Sequence, residues 1–145
     1  MQPEKLDAAT EKKVRDSFAA QTAMTTVGAT MTRLAWGEAE IELPAAPHIR
    51  QQQEFVHGGV VAMILDSACG YAAYTTMPAG VEVVSVEFKI NFLKPALGHK
   101  LIARGRVLRP GRTLTVCQGE VYAVTDKGEA PVAAMQATMA AVEKR

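Results

Sequence analysis

The chain has 145 residues, of which 48% are hydrophobic and 21% are charged, and its formal net charge is +1. This length suits one domain with a single sizeable core, so we expect residues 1–145 to form one domain, with an N-terminal helix over 1–22 and a core over 23–145. The near-neutral charge and the lack of a basic stripe argue against a nucleic-acid partner. No apolar run is long enough for a membrane span, and no signal peptide is recognisable, so we expect a cytoplasmic protein.

The first part of the chain contains a helical pattern followed by a strand pattern. Glu4 to Ala20 carries apolar residues at helical spacing and predicts a short amphipathic helix. Met24 to Leu43 is typical of two strands with a turn near Trp36-Gly37-Glu38. A loop over Pro44 to Val56 follows, with a run of three glutamines at 51–53.

The next segment predicts one long helix, from Gly58 to about Met77. It is apolar nearly all round, so we expect other elements to wrap it on most sides. The two cysteines, Cys69 and Cys117, fall inside predicted elements and indicate buried, reduced thiols. Cysteine and histidine spacings fit no metal-binding motif, so we expect no metal site.

After this helix the sequence predicts four strands, separated by short segments rich in proline and glycine. We expect these separators to be hairpin connections and the strands to be antiparallel neighbours. In the first strand the even positions from Val84 to Phe92 are apolar, so we expect this face to pack on the helix. The predicted fold class is α+β, with a long central helix wrapped by a curved antiparallel sheet. The four strands are Val81–Leu93, Lys100–Leu108, Thr113–Val124 and Pro131–Val142.

The start of the long helix combines residues that could perform acyl chemistry. His57, Gly58 and Gly59 precede an apolar stretch in which Asp66 is the only acid. Free backbone N–H groups at a helix start can hold a developing oxyanion, and a carboxylate in so apolar a helix favours a functional role. Gly58 and Asp66 are separated by a rise of about 12 Å and by about 80° around the axis. If both act on one carbonyl, they should therefore come from two subunits of a dimer.

A family resemblance rests on several motifs. The order H-G-G-x6-D, then V-S-V-E-F-K-I-N-F-L-K-P and R-P-G-R-T, resembles the hotdog-fold acyl-CoA thioesterases of the phenylacetate-pathway type. The resemblance covers the chain from about Gly28 to Val142. It implies a dimer with a continuous sheet, often paired into a tetramer, and an acyl-CoA substrate. It implies no cofactor other than coenzyme A as part of that substrate.

The resemblance also implies catalytic roles for five residues. Asp66 matches the acid that activates water or itself attacks the thioester carbonyl, two routes that the sequence leaves open. The Gly58 backbone N–H matches the group that polarises this carbonyl, and His57 matches an orienting or hydrogen-bonding histidine beside it. Ser85 matches a hydroxyl that helps to hold the water. Gln51 stands where relatives often carry asparagine.

The expected substrate-binding residues are Gly59 and three residues of the R-P-G-R-T turn, namely Arg109, Arg112 and Thr113. The resemblance places this turn near the nucleotide end of coenzyme A, and cations there would suit its phosphates.

Two other functions remain compatible with the sequence. The first is hydration or dehydration of a β-hydroxyacyl thioester on the same fold, and the second is binding of acyl-CoA without catalysis. The sequence contains no G-x-S-x-G motif, which argues against a thioesterase with a serine nucleophile.

Overall fold

The computed structural model describes residues 5–145, and it consists of one antiparallel sheet and one long helix with a smaller helical segment before them. The six strands are arranged in the order β1-β2-β4-β5-β6-β3, and the long helix α3 packs on the strands from β2 to β3. The predicted α+β fold, a central helix against a curved antiparallel sheet, is confirmed. In chain order the elements are α1 (Ala8–Ala20), α2 (Thr22–Val27), β1 (Thr30–Ala35), β2 (Glu38–Pro44), a 3-10 turn (Pro47–Ile49), α3 (Gly58–Tyr74), β3 (Val81–Phe92), β4 (Lys100–Arg109), β5 (Leu114–Thr125) and β6 (Gly128–Glu143).

The N-terminal segment differs from the predicted pattern at both ends. The predicted helix is confirmed from Ala8, where the Asp7 side chain accepts a hydrogen bond from the Thr10 N–H, whereas Glu4 lies outside the described residues. The prediction that a strand begins at Met24 is wrong, because Met24 belongs to α2. Gly28 ends α2 in the left-handed conformation with φ +85°, which glycine adopts without strain.

The connection between β3 and β4 also differs from the prediction. The chain forms hairpins from β4 to β5 and from β5 to β6, as predicted, but β3 pairs with β6 instead of β4. The segment around Pro95–Gly98 is therefore a crossover and not a hairpin turn. As a result β3 lies at one end of the sheet, and its outer edge pairs with no other strand of residues 5–145.

A bulge in β3 changes which side chains face α3. The pairing with β6 shifts by one residue between Ser85 and Glu87. Before the shift Ser85 is opposite the buried Met139, and after it Phe88 is opposite the buried Ala137. The prediction that all even positions pack on the helix is therefore wrong for Val84 and Val86, which are 45% and 56% exposed. Because cross-strand partners share a face, the bulge places Ser85 and the later apolar residues on the helix side together.

Two paired glycines let α3 approach the sheet closely. Gly105 on β4 is opposite Gly119 on β5. A Cβ atom built on Gly105 would lie 2.5 Å from the carbonyl carbon and oxygen of Ala68 and 2.6 Å from the Cys69 nitrogen, all of them helix backbone. Because backbone atoms in a packed helix cannot move aside, this position excludes every side chain.

We expect Gly105→Ala to lower the free energy of unfolding by about 3 kcal/mol or more, since the added methyl group overpacks the contact between helix and sheet. Chemical denaturation measures this change. Gly70→Ala on α3 is the matched control, because its new Cβ atom would meet only the Met139 sulfur, at 3.9 Å. Equal stability of the two variants would contradict the proposed role of Gly105.

Candidate active site

His57 caps the N-terminus of α3 and orients its first turn. Its backbone N–H donates to the Ile49 carbonyl at 2.9 Å, and its ring Nδ1 accepts from the Gly59 N–H at 2.8 Å. In the neutral side chain the ring proton is therefore on Nε2, which remains available as a donor. A Cβ atom on Gly59 would lie 3.0 Å from His57 Nδ1, so glycine at 59 gives the ring room to cap the helix.

The Gly58 N–H is the donor that the helix start leaves unused. Among the described residues no acceptor is hydrogen-bonded to it, whereas the Gly59 N–H is occupied by His57. The Phe92 ring lies over Gly58, and a Cβ atom there would be 3.2 Å from the ring edge. The first turn of α3 therefore presents a free N–H at the positive end of a 17-residue helix, next to an aromatic wall.

Gln51 organises the loop that leads into α3. Its backbone N–H donates to the Phe55 carbonyl at 2.9 Å, and its side-chain carbonyl accepts from the Gln53 N–H. The loop places Gln51 with His57 and Gly58 in the wall of one groove, of about 540 Å³. Because its oxygen is used within the loop, the amide NH₂ is the group that Gln51 can offer to a ligand.

Asp66 and Ser85 form a hydrogen-bonded pair between α3 and β3. The Ser85 hydroxyl donates to Asp66 Oδ1 at 2.7 Å. Burial raises the pKa of the Asp66 carboxyl above its usual value, and the bond from Ser85 opposes this shift in part. The bulge in β3 is what turns Ser85 towards α3, so the serine contacts the acid and is not a solvated residue of the outer face.

The candidate residues form two groups that the single chain does not bring together. Gln51, His57 and Gly58 line the groove at the start of α3, whereas Asp66 and Ser85 line a different cavity of about 110 Å³. The helix separates Gly58 from Asp66 by a rise of about 12 Å. A carbonyl that accepts from Gly58 is therefore out of reach of the same chain's carboxylate.

The R-P-G-R-T turn lies in neither of these two cavities. Arg109, Arg112 and Thr113 are exposed at the end of the β4–β5 hairpin. Leu114 beside them is aligned across the sheet with Ala140, at the end of the sheet opposite to Phe92 and Gly58. A Cβ atom on Gly111 would come within 1.9 Å of the Leu114 carbonyl oxygen, so the turn requires glycine there.

Two residues of the cavities were missed by the sequence analysis. Phe92 covers Gly58, and Gln21, between α1 and α2, reaches the cavity of Asp66. No local sequence signal marks either residue, because their places depend on the bulge in β3 and on the packing of α1 against α3.

The two cysteines lie in the core and face no cavity of the site. Cys69 and Cys117 are free and buried, and burial raises the pKa of both thiols, which makes them inert core residues. In residues 5–145 no three histidine, cysteine or acidic side chains are grouped so that they could hold a metal ion. No helix in this part of the chain has the length and apolar character needed to cross a membrane.

A family model and several curated relatives match parts of this chain. A family model described as the Thioesterase superfamily matches residues 53–130, which is more than half of the chain. A protein of Saccharolobus solfataricus named "Putative esterase SSO2140" is 34% identical over 84 residues, 58% of this chain and 59% of that protein. A second archaeal relative, from Halobacterium salinarum, is matched over 50% of its length. The chain thus spans little more than half of these curated relatives.

Solved structures extend the likeness to nearly the whole chain. A thioesterase family protein from Silicibacter pomeroyi is 45% identical, with a TM-score of 0.91 over 93% of this chain and 99% of that one. The BH2602 protein of Bacillus halodurans, solved with CoA, is 26% identical, with a TM-score of 0.75 over 94% and 93% of the two chains. The E. coli PaaI protein, from a phenylacetic acid degradation operon, shares the fold, with a TM-score of 0.83 at 19% identity over 95% and 96%.

Proposed function

Because the chain belongs to the Thioesterase superfamily, we propose that it is an acyl-CoA thioesterase, which hydrolyses a thioester to the free acid and coenzyme A. The observation that carries the proposal is that α3 offers two groups with complementary chemistry. One is the free Gly58 N–H at the helix start, and the other is the Asp66 carboxyl, held by Ser85 and raised in pKa by burial. The first suits an oxyanion, and the second suits a base.

In the proposed reaction the thioester carbonyl oxygen accepts from the Gly58 N–H. As the carbonyl carbon becomes tetrahedral, negative charge develops on this oxygen, and the helix N-terminus stabilises it. One such donor contributes about 3 kcal/mol to transition-state stabilisation in other enzymes. The tetrahedral intermediate then expels the coenzyme A thiolate. His57 fixes the geometry of this turn by occupying the neighbouring Gly59 N–H.

Asp66 supplies the base in the proposal. Its Oδ1 accepts from Ser85, which leaves Oδ2 to take a proton from the attacking water. Burial makes the carboxylate a stronger base than a solvated aspartate, because it raises the pKa. Direct attack by Oδ2 would instead form an anhydride. Label found in Asp66 after a single turnover in ¹⁸O-labelled water would establish the anhydride route, because the general-base route puts the water oxygen only in the product acid.

A second copy of the chain supplies the missing half of each site in this proposal. β3 is a 12-residue strand at the end of the sheet, with an unpaired outer edge in the described chain. Its side chains Val86, Phe88 and Phe92 are between 42% and 56% exposed. A long apolar edge strand left open invites pairing with another strand, so we propose that β3 pairs with β3 of a second subunit.

Two-fold symmetry then explains how the separated groups meet. Gly58 lies beside Phe92 at one end of β3, and Asp66 lies beside Ser85 nearer the other end. Antiparallel pairing of two β3 strands about an axis near Phe88 brings the partner's Asp66 towards Gly58 of this chain. Each dimer therefore has two equivalent sites.

The groove at the start of α3 is the proposed channel for the coenzyme A arm. It is open, has a volume of about 540 Å³ and includes Leu93, Lys94 and Pro95 beside Phe92. The BH2602 protein from Bacillus halodurans, which has the same fold, was solved with CoA, and this supports CoA as a ligand. In such a dimer the partner's turn with Arg109, Arg112 and Thr113 would lie at the end where this groove opens, because Leu114 and Phe92 are at opposite ends of the sheet. This turn is the proposed contact for the nucleotide phosphates.

Thiol release from a panel of acyl-CoA esters tests the function. We expect hydrolysis of some esters by the dimeric wild-type protein, with dimerisation measured by light scattering. A folded dimer that releases thiol from none of them would overturn the proposal. Hydration of a crotonyl thioester would then identify a hydratase, and tight acyl-CoA binding without turnover would identify a binding protein.

A further inference from the structure

A small cavity lies beside Asp66, and the hydrolytic step described above assigns no ligand group to it. It measures about 110 Å³, and its walls beyond Asp66 and Ser85 come from α3, β3 and the junction of α1 with α2. Since the carbonyl carbon must face Asp66, one of the two arms of the thioester has to pass into this cavity. The long coenzyme A arm requires the larger groove, which leaves the cavity for the acyl arm.

Gly70 creates the space in this cavity. It lies one turn after Asp66 on α3, where a longer side chain would lean back over the carboxylate. The nearest neighbour of a Cβ atom there would be the Met139 sulfur, at 3.9 Å. The cavity is thus open next to the acid and could be filled by a side chain without a clash against backbone.

The far wall carries polar groups that are held in place by α1. Tyr71 is 7% exposed, and its ring makes an edge contact with Phe18, with ring centres 5.7 Å apart. Its hydroxyl lies 3.3 Å from the Ser17 hydroxyl and 3.5 Å from the Gln21 side-chain oxygen. Gln21 and Tyr71 therefore line the same small cavity as Asp66, and the Tyr71 hydroxyl donates to the Gln21 side-chain oxygen.

Resting on the hydrolase function proposed above, we propose that this cavity selects a short acyl group with a polar group near its far end, such as a hydroxyl or a ketone. Within the described chain its volume is below the approximately 150 Å³ of a cavity that holds benzene, which suits a short acyl group. Because the Gln21 oxygen accepts from Tyr71, the Gln21 NH₂ group is the donor proposed to bind the polar end. An alkyl group of equal size would offer this NH₂ group no acceptor, and such sites discriminate strongly.

The first test compares kcat/KM for acetyl-, butyryl-, 3-hydroxybutyryl- and decanoyl-CoA. We expect 3-hydroxybutyryl-CoA to exceed butyryl-CoA by about 10-fold or more and decanoyl-CoA to be the poorest substrate. Gln21→Leu keeps the size of the side chain and removes its amide, so the ratio of hydroxybutyryl to butyryl should fall to near one. Gln136→Leu, on the exposed outer face of the sheet, is the matched control and should preserve the ratio.

A second variant tests the space itself. Gly70→Val should lower kcat/KM for 3-hydroxybutyryl-CoA by about 10-fold or more relative to kcat/KM for acetyl-CoA, because the longer acyl group needs more of the filled volume. Preference for decanoyl-CoA in the wild type, or an equal loss on all esters in Gln21→Leu, would overturn this inference while leaving the hydrolase function intact. Absence of thiol release from every ester would instead overturn the hydrolase function.

Discussion

Asp66→Asn is expected to lower kcat for thioester hydrolysis by about 10³-fold, with a much smaller change in KM. Asparagine keeps the size of the side chain and an oxygen that can accept from Ser85, but it cannot take a proton from water. Steady-state thiol release measures both constants. Asp126→Asn is the matched control, because Asp126 is a 95% exposed aspartate paired with His99 away from α3. A loss confined to KM would show that Asp66 binds substrate without acting as base.

The raised pKa of Asp66 gives this prediction two pH signatures. Activity requires the carboxylate, so kcat should fall as pH falls through the raised pKa, with the inflection above the usual aspartate value of about 3.9. The free energy of unfolding should change with pH in the opposite direction to kcat. A carboxyl whose pKa is raised by folding contributes stability that is present below its unfolded-state pKa and is lost as pH rises through its folded-state pKa.

Asparagine is neutral at every pH, so Asp66→Asn should be more stable than the wild type at neutral pH, and the difference should vanish in acid. Denaturation at several pH values measures this difference. A variant that is inactive yet more stable would show that the buried acid is kept for chemistry, at a cost to folding.

The sequence predicted those parts of the fold whose signals are local. The apolar helix beginning at Gly58, the turn at Gly37 and the hairpins from β4 to β6 follow from periodicity and turn residues. The place of β3 beside β6 was not predictable in this way, because Pro95–Gly98 resembles a hairpin turn in composition. Which strand pairs with β3 is decided by packing on α3, which no local pattern reports.

The candidate site also contains residues that a local sequence signal marks and residues that only the packing reveals. The motif around His57 and the lone acid Asp66 were visible in the sequence, and the structure places His57 at the start of α3 and Asp66 against Ser85. Ser85, by contrast, falls on the polar face of β3 when simple alternation is assumed. Only the bulge after it turns it to α3, and a one-residue shift in register is invisible in a sequence of alternating residues.

Gly58→Pro is expected to lower kcat by about 10²- to 10³-fold, because it deletes the one N–H proposed to hold the oxyanion. Proline suits this position, since Gly58 is the first residue of α3 and His57 before it is extended, with φ −57° and ψ 134°. Gly58→Ala is the matched control. It adds a Cβ atom with the same contact to Phe92 and retains the N–H, so its loss should be much smaller. Equal losses of kcat in both variants would show that contact with the Phe92 ring, and not loss of the N–H, causes the effect.

The two inactive variants together test whether each site uses two subunits. In a mixed dimer of Gly58→Pro and Asp66→Asn chains, one site combines the two defects and the other combines an intact Gly58 with the partner's intact Asp66. Equal mixing with subunit exchange should therefore restore about a quarter of the wild-type activity, because about half of the dimers are mixed and each has one intact site of two. If both groups acted within one chain, every site in the mixture would retain a defect and no activity would return. Recovery after refolding the mixed chains, against each variant refolded alone, thus decides between a shared site and two separate ones.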